Sequence, residues 1–169
     1  MEHEAEIDVK ATIVSVSTSK NEKYGNLRGI NSIPEEDKSS RILIEELKFE
    51  VVDYYLVGDD EYSIAKAVLQ TDSEIVILVG GTGITPKDVT VEAVKPLLRK
   101  EITGFGEVFR YESYKEVGIR AVLSRAFAGV LKDGRVVFCL PGSKNAVKLG
   151  AKLINKLALH AVSHALGLK

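Results

Sequence analysis

Apolar residues follow two periods along this chain, and the two periods alternate. Short runs of consecutive apolar residues predict strands over 11–16, 50–57, 75–79 and 136–140. Apolar positions spaced by three and four residues predict helices that start near 39 and 58, and further helices over 89–99 and 144–166. Strands that alternate with helices are typical of an α/β protein. We therefore expect a three-layer, doubly wound and mostly parallel sheet with right-handed crossovers.

Two segments follow neither period. The segment 19–37 is longer than the ~12 to 15 residues of most loops, so we expect a mobile lid or a disordered stretch. The segment 101–131 contains only short apolar clusters, and there we expect helical turns. For the helix that starts near 39 we expect a cap from Ser39 or Ser40, because hydroxyl side chains are favoured before the first helical residue.

The size and charge of the chain narrow the possible functions. With 169 residues, 45% of them hydrophobic, it can fill one core. We expect an N-terminal extension over 1–10 and a single domain over 11–169. A net charge of −1 offers no bulk attraction to nucleic acid or to an anionic membrane. No apolar run reaches the ~18 residues of a membrane span and the acidic start is unlike a signal peptide, so we expect a cytoplasmic location.

The strand predicted over 75–79 ends at three closely spaced glycines, Gly80, Gly81 and Gly83. Glycines let backbone amides approach a ligand, and the helix that follows turns its unpaired N–H groups and positive dipole end toward the loop. This arrangement favours a phosphate or another anion as the ligand. The spacing matches neither a dinucleotide-binding loop nor a Walker loop, and a tight turn without a ligand is the alternative.

Several loops with polar residues should meet at one edge of the sheet. The carboxyl ends of parallel strands lie together, so we expect the loops at 17–18, 58–60, 80–83 and 141–143 to converge. They bring backbone amides, hydroxyls and the carboxylates of Asp59, Asp60 and Asp88 to that edge. Amides suit phosphate, and carboxylates suit the Mg²⁺ that accompanies a nucleotide. The alternative for these aspartates is helix capping, and Thr85 and Asp88 have the spacing of a capping box.

Two other features of the sequence give little evidence of a catalytic or binding role. His160 and His164 are four residues apart on the last predicted helix, but no third ligand is evident, so we interpret them as surface or interface histidines. Cys139 lies inside an apolar strand, and we interpret it as a buried structural thiol.

Four segments resemble one known family, in order and spacing, over about residues 11 to 165. They are Gly80-Gly-Thr-Gly-Ile-Thr-Pro-Lys-Asp-Val-Thr90, Ile102-Thr-Gly-Phe-Gly-Glu107, Leu123-Ser-Arg125 with Ala128-Gly-Val130, and Leu140-Pro-Gly-Ser143. The chain is similar to the molybdopterin-binding domain of the MoaB/MogA molybdenum cofactor biosynthesis proteins, which also occurs in gephyrin. The Gly-Phe-Gly-Glu segment favours the MoaB branch.

The resemblance implies a molybdopterin adenylyltransferase, in which the terminal phosphate of molybdopterin attacks the α-phosphorus of ATP with Mg²⁺ and releases pyrophosphate. It implies that Asp59 and Asp88 are the catalytic and metal-binding carboxylates. The residues that it implies for binding are Ser17, Gly80, Gly81, Thr82, Gly83, Thr85, Glu107, Ser124, Pro141, Gly142 and Ser143. It also implies self-association as a trimer or hexamer and a downstream metal insertase as partner.

Two segments depart from the pattern of the family. Thr18 follows Ser17 where the family often has aspartate, and the segment Asp37-Lys-Ser-Ser40 stands where the family often has Asp-Ser/Thr-Ser-Gly. A non-catalytic carrier of molybdopterin is therefore the alternative to the adenylyltransferase. A regulatory nucleotide-binding module is a third hypothesis, and it rests on the glycine loop alone.

Overall fold

The computed structural model describes residues 7–168, and in this range seven strands form a single sheet. The strands are β1 Lys10–Val16, β2 Leu27–Arg28, β3 Glu50–Val57, β4 Ile75–Val79, β5 Leu98–Ile102, β6 Phe127–Leu131 and β7 Val136–Leu140. The α-helices of the same range are α1 Thr18–Tyr24, α2 Lys38–Glu46, α3 Glu61–Gln70, α4 Thr90–Val94, α5 Thr103–Val117 and α6 Lys144–Ala165. Short 3-10 helices cover Ile30–Ser32, Lys95–Leu97 and Gly118–Leu123.

The sheet is parallel in its centre and antiparallel at its edges. Its strand order is β2-β3-β1-β4-β7-β6-β5. The strands β3, β1, β4 and β7 run parallel, whereas β2, β6 and β5 pair antiparallel with their neighbours. The expected mostly parallel sheet is thus confirmed, and the central strands all end at the same edge.

The central strands are largely buried on both faces, and the sheet separates two hydrophobic cores. On β4, Ile77 belongs to the core on the side of α2, α5 and α6, while its neighbour Leu78 belongs to the core on the side of α3 and α4. All five residues of β4 and of β7 are buried, which accounts for their continuous apolar sequence. Cys139 lies in the second core with no exposed surface, as expected, and burial raises the pKa of its thiol well above the ordinary value.

Four helices begin at a capping side chain. Ser17, Asp37, Asp60 and Ser143 each accept a hydrogen bond from the backbone N–H three residues further on. The prediction that Ser39 or Ser40 caps α2 is therefore wrong, because the cap is Asp37 and the two serines lie in the first turn.

The expectation of a disordered stretch over 19–37 is also wrong, because the segment folds into α1, β2 and a 3-10 helix. Its movement as a lid stays a prediction. Polar contacts hold this segment, together with Leu27 and Ile33, which pack against the core. The amide of Asn21 donates to the Asn26 side chain at 2.6 Å, and the Gly29 N–H donates to the Tyr54 carbonyl of β3 at 2.8 Å. Gly25 ends α1 with a positive φ of 70°. Such contacts leave no hydrophobic period in the sequence.

The helix predicted over 89–99 is much shorter than expected. It begins at Thr90 and its α-helical part ends at Val94, because Pro96 lacks the N–H that a longer helix requires. The chain then forms the edge strand β5. The segment 101–131, where only helical turns were expected, contains the 15-residue helix α5 and the strand β6.

The last helix matches its prediction closely. α6 has 22 residues, and its buried side includes Val147, Ile154 and Val162. His160 and His164 lie on its exposed side with ring centroids 4.3 Å apart, as expected for surface histidines. Within residues 7–168, no helix combines the length and the hydropathy that crossing a bilayer requires.

Candidate active site

The loops at the carboxyl ends of the central strands contact one another, as the sequence predicted. The Gly80 N–H donates to the Leu140 carbonyl at 2.9 Å, which joins the loop after β4 to the end of β7. A Cβ atom on Gly142 would lie 3.6 Å from the Gly80 Cα atom. The loop after β3 reaches the same place through Asp59, which accepts hydrogen bonds from Thr18 and faces the glycine loop.

The glycine loop is held from beneath by Thr90, the first residue of α4. The Thr90 hydroxyl donates to the Gly80 carbonyl at 2.8 Å, and its N–H donates to the Gly81 carbonyl at 3.1 Å. Gly80 and Gly81 have positive φ angles of 105° and 73°. A Cβ atom on Gly81 would lie only 2.2 Å from the Thr90 hydroxyl, so this position accepts no side chain.

Asp59 bridges the loops after β1 and β3. Its Oδ2 atom accepts hydrogen bonds from the Thr18 N–H at 2.9 Å and from the Thr18 hydroxyl at 2.6 Å. Its Oδ1 atom would lie 3.4 Å from a Cβ atom on Gly81 and therefore faces the glycine loop. Asp60, in contrast, caps α3, and hydrogen bonds with Ser63 lower the pKa of its carboxyl. The capping interpretation is thus confirmed for Asp60 and wrong for Asp59.

Asp88 is held beside the same loop by Thr85. Its Oδ2 atom accepts hydrogen bonds from the Thr85 N–H at 2.9 Å and from the Thr85 hydroxyl at 2.8 Å. A Cβ atom on Gly83 would lie 2.7 Å from this oxygen. Asp88 does not cap α4, which starts at Thr90 without a side-chain cap, so the capping alternative fails here as well. The contacts with Thr85 close the turn that leads into α4.

Arg125, which lies just before β6, anchors the glycine loop, although it was not among the predicted site residues. Its backbone N–H donates to the Thr82 carbonyl at 2.8 Å, and its Nε donates to the Gly83 carbonyl at 2.9 Å. One guanidinium nitrogen donates to the Asp88 carbonyl at 3.1 Å. The guanidinium also pairs with Glu92, and this hydrogen bond lowers the pKa of the Glu92 carboxyl. The Leu123-Ser-Arg125 segment indicates this position in the sequence, but only Ser124 was predicted as a binding residue.

The other residues proposed for binding differ in their placement. Thr82 is 1% exposed, and its hydroxyl has no hydrogen-bond partner in residues 7–168. Ser17 caps α1 and accepts from the Lys20 N–H at 3.3 Å. Ser124 directly precedes Arg125, which places it next to the loop. Glu107 is exposed on α5, and no hydrogen bond in the described range joins it to the loop.

An open groove of about 340 Å³ runs along the outer side of the loop. Its lining residues are Ile84, Thr85, Pro86, Asp88, Val89, Glu92 and Arg125. The groove thus has both an acidic and a basic side chain in its wall. A ligand that lies in it would contact the residues that hold Asp88 in place.

The acidic residues of the site fit a magnesium ion that is shared with a substrate. In the described residues no group of three or more potential metal ligands occurs, so the chain alone does not build a closed metal cage. Asp59 and Asp88 each use Oδ2 for hydrogen bonds within the chain, and each keeps Oδ1 for another partner. Mg²⁺ in nucleotide enzymes is usually held by one or two carboxylates and by substrate phosphates, which matches this donor set.

Comparison with known proteins agrees with the geometry. The family described as "Probable molybdopterin binding domain" matches residues 12–161. A curated "Molybdopterin adenylyltransferase" of Pyrococcus furiosus is 46% identical, with 77% of this chain and 81% of the relative aligned. A "Molybdenum cofactor biosynthesis protein B" of Staphylococcus aureus is 41% identical, with 94% of this chain and 92% of the relative aligned.

Solved structures share the whole fold. A tungsten cofactor synthesizing protein MoaB from Pyrococcus furiosus superposes with a TM-score of 0.80 at 41% identity, over 95% of this chain and 99% of that one. A molybdopterin biosynthesis protein from Mycobacterium abscessus gives a TM-score of 0.80 at 27% identity, over 95% and 98% of the two chains. The three-layer α/β architecture is therefore common to all three proteins.

Proposed function

This chain belongs to the molybdopterin-binding family of molybdenum cofactor biosynthesis proteins, and we propose that it transfers the adenylyl group of ATP to molybdopterin. In this reaction an oxygen of the terminal phosphate of molybdopterin forms a bond to the α-phosphorus of ATP. The bond from that phosphorus to the bridging oxygen of the β-phosphate breaks, and pyrophosphate leaves. The products are adenylylated molybdopterin and pyrophosphate.

The placement of two carboxylates beside one glycine loop carries this proposal. Asp59 faces Gly81, and Asp88 faces Gly83, which is two residues further along the same loop. Phosphoryl-type transfer depends mainly on positioning the phosphates and neutralising their charge. The backbone amides of the loop would bind phosphate oxygens, while Arg125 and Thr90 fix the path of the loop.

We propose Asp59 and Asp88 as the residues that hold Mg²⁺ together with the phosphates of ATP. When bound, the ion would neutralise the charge of the reacting phosphates. Thr18 and Thr85 would orient the two carboxylates, since each donates two hydrogen bonds to one oxygen and leaves the other free. The chain would therefore present one oxygen of each carboxylate beside the N–H groups of Gly81, Thr82 and Gly83, which have no acceptor in residues 7–168.

The decisive experiment is pyrophosphate release with ATP, molybdopterin and Mg²⁺, compared among the wild type, Asp59→Asn and Asp60→Asn. Asparagine keeps the shape of the side chain but removes the charge. We expect Asp59→Asn to lose ~10²-fold or more in kcat, a loss typical of removing one charge-stabilising group. Asp60→Asn should keep its activity, because asparagine caps helices as well as aspartate does.

The same experiment separates the adenylyltransferase from its alternatives. A wild type that binds molybdopterin tightly but releases no pyrophosphate would contradict the proposal and identify a carrier. Binding of nucleotide without any binding of molybdopterin would identify a regulatory nucleotide module instead. Equal activity of Asp59→Asn and the wild type would exclude the role proposed for Asp59.

We also propose that the chain self-associates as a trimer or as a hexamer built from trimers. Large apolar side chains on α5 and on the 3-10 helix that follows it are 40–71% exposed, which is unusual for a monomer. They are Val108, Tyr111, Tyr114, Val117, Ile119, Val122 and Leu123. In sedimentation velocity, Val122→Glu should reduce the assembly to smaller species. Leu69→Glu is the matched control, because Leu69 is equally exposed but lies on α3, across the sheet.

A metal insertase is the proposed partner downstream. Adenylylated molybdopterin contains a phosphoanhydride bond, so the next enzyme must cleave that bond when it uses the product. The cytoplasmic location and the division at residue 11 stay predictions. So do the binding roles of all the residues that the resemblance implies, Ser17, Glu107 and Ser124 among them.

A further inference from the structure

Asp37 is a buried carboxylate beneath the first turn of α2, and it is 2% exposed. Its Oδ2 atom accepts hydrogen bonds from the Tyr54 hydroxyl at 2.7 Å and from the Ser40 hydroxyl at 2.8 Å. Its Oδ1 atom accepts from the Ser40 N–H at 3.2 Å. A buried carboxylate is costly unless donors surround it, and here three donors do so. Burial, with the bond to Asp37, raises the pKa of Tyr54, so its hydroxyl stays protonated and donates.

This network fixes the start of α2 against the central sheet. Tyr54 is a core residue of β3 with no exposed surface, so its hydroxyl is a fixed point. Asp37 is the N-cap of α2, and its bond to Tyr54 ties the first turn of the helix to the strand. Ser39 lies in that turn and extends the network to the candidate active site.

Ser39 reaches the loop that follows β7. Its hydroxyl donates to the Gly142 carbonyl at 2.7 Å. A trans peptide is planar, with its carbonyl and N–H on opposite sides. Because the Gly142 carbonyl points to Ser39, the N–H of Ser143 must point away from Ser39. This N–H has no acceptor in residues 7–168, and it adjoins the unpaired N–H groups at the start of α6.

We propose that Tyr54 and Asp37 are positioning residues that act through Ser39 to orient the Gly142–Ser143 peptide toward a substrate phosphate. The inference rests on the proposed function, because the phosphate is that of ATP or of molybdopterin. The oriented N–H would join the first N–H groups of α6, and the positive end of the helix dipole would strengthen the interaction. Neither Tyr54 nor Asp37 touches the substrate in this arrangement.

The test compares four single variants by their dissociation constants for ATP and for molybdopterin, measured separately, and by thermal unfolding. Ser39→Ala removes the last bond of the network, and Ser39→Thr keeps a hydroxyl at the same position. Tyr54→Phe removes only the hydroxyl that reaches Asp37. Tyr55→Phe is the matched control, because the neighbouring Tyr55 is also buried in β3 and its hydroxyl has no partner in the described residues.

We expect Ser39→Ala and Tyr54→Phe to weaken the binding of at least one substrate by about three- to tenfold, the effect of losing one oriented hydrogen bond. Ser39→Thr should restore the binding, and Tyr55→Phe should bind like the wild type. The inference is overturned if Ser39→Ala and Tyr54→Phe bind both substrates normally, even when their unfolding temperatures fall. It is also overturned if Ser39→Thr binds as weakly as Ser39→Ala. Failure of the wild type to bind either substrate would instead contradict the proposed function.

Discussion

Thr18 donates both of its hydrogen bonds to a single oxygen of Asp59, the Oδ2 atom, at 2.9 and 2.6 Å. The other oxygen is left facing Gly81 across the candidate site. The bond therefore does more than join the loops after β1 and β3, because it determines which oxygen of Asp59 is available to a metal ion or a phosphate. An acidic side chain at position 18 could not donate a hydrogen bond when ionised, so in this chain the threonine hydroxyl is the feature that orients Asp59.

The first prediction removes that hydroxyl. Thr18→Val keeps the shape of the side chain and the backbone donor, but Asp59 loses its shorter hydrogen bond. Because a hydrogen bond to a carboxylate contributes ~1.5–3 kcal/mol, we expect kcat/KM to fall by about tenfold or more in the pyrophosphate assay. Ser19→Ala is the control, since the exposed Ser19 hydroxyl forms a hydrogen bond with the Ser17 hydroxyl and with no other side chain in residues 7–168. Equal activity of Thr18→Val and the wild type would disprove the orienting role.

The second prediction concerns a substitution at Gly83 that displaces the Asp88 side chain and leaves Asp88 itself unchanged. A Cβ atom on Gly83 would lie 2.7 Å from the Asp88 Oδ2 atom, and Gly83 has no positive φ, so alanine should fold and push the carboxylate aside. Displacing a catalytic group by about 1 Å can cost ~100-fold in rate, and we expect a loss of that order for Gly83→Ala in single-turnover assays.

Gly104→Ala is the control for this substitution. Its Cβ atom would meet no other atom within 4 Å, and it lies in the first turn of α5. It should keep full activity and unfold at the same or a slightly higher temperature, because alanine favours the helix. Retained activity in Gly83→Ala would argue against the placement of Asp88 in the reaction.

The sequence predicted the centre of the fold better than its edges, for a physical reason. β4 and β7 are buried on both faces, so their composition alone identifies them as strands. β5 has three exposed residues of five and β2 has only two residues, and neither length nor periodicity marks such strands. They form because neighbouring strands offer hydrogen bonds. These neighbouring strands are distant in the sequence, so the local sequence does not reveal the pairing.

The same distinction applies to the candidate site. The convergence of the glycine loop with Asp59 followed from one rule of parallel sheets, and the contacts bear it out. Arg125 and Asp37 could not be assigned in this way, because their roles depend on partners 42 and 17 residues away. The sequence therefore predicted that the glycine loop and Asp59 converge, but it did not indicate the contacts that Arg125 and Asp37 make.

The third prediction concerns the arginine anchor. Lysine cannot reproduce the bonds that Arg125 makes to Gly83, Asp88 and Glu92 at once, because it has one nitrogen in place of three. We expect Arg125→Lys to lower the free energy of unfolding by ~1–3 kcal/mol and to weaken ATP or molybdopterin binding severalfold. Calorimetric unfolding and equilibrium binding would measure the two effects.

A second arginine provides the control for that variant. Arg135 also makes several bonds, to Thr71 and to Asp133, but these residues precede β4 and β7 at the opposite edge of the sheet. Arg135→Lys should therefore lower the stability by a similar amount and leave substrate binding unchanged. If both variants weakened binding equally, the effect would come from general destabilisation rather than from the glycine loop.

The fourth prediction follows from the pair between Arg125 and Glu92. The hydrogen bond from Arg125 lowers the pKa of Glu92 below its ordinary value of 4.5 in the folded protein. The ionised carboxylate thus favours the folded state at pH values above 4.5, and this contribution is lost as the pH falls through the folded pKa. Because the Glu92 side chain is 43% exposed, the contribution should be only ~0.2–1 kcal/mol.

Unfolding of the wild type and of Glu92→Gln as a function of pH would check this. We expect the free energy of unfolding of the wild type to exceed that of Glu92→Gln by a constant amount at neutral pH. This difference should shrink as the pH drops below 4.5. Glu116→Gln is the control, because it changes an exposed glutamate of α5 that has no such partner in the described residues. Its difference from the wild type in free energy of unfolding should not shrink in this pH range. A margin for Glu92→Gln that persists unchanged at acidic pH would mean that the pair with Arg125 contributes nothing to holding the glycine loop.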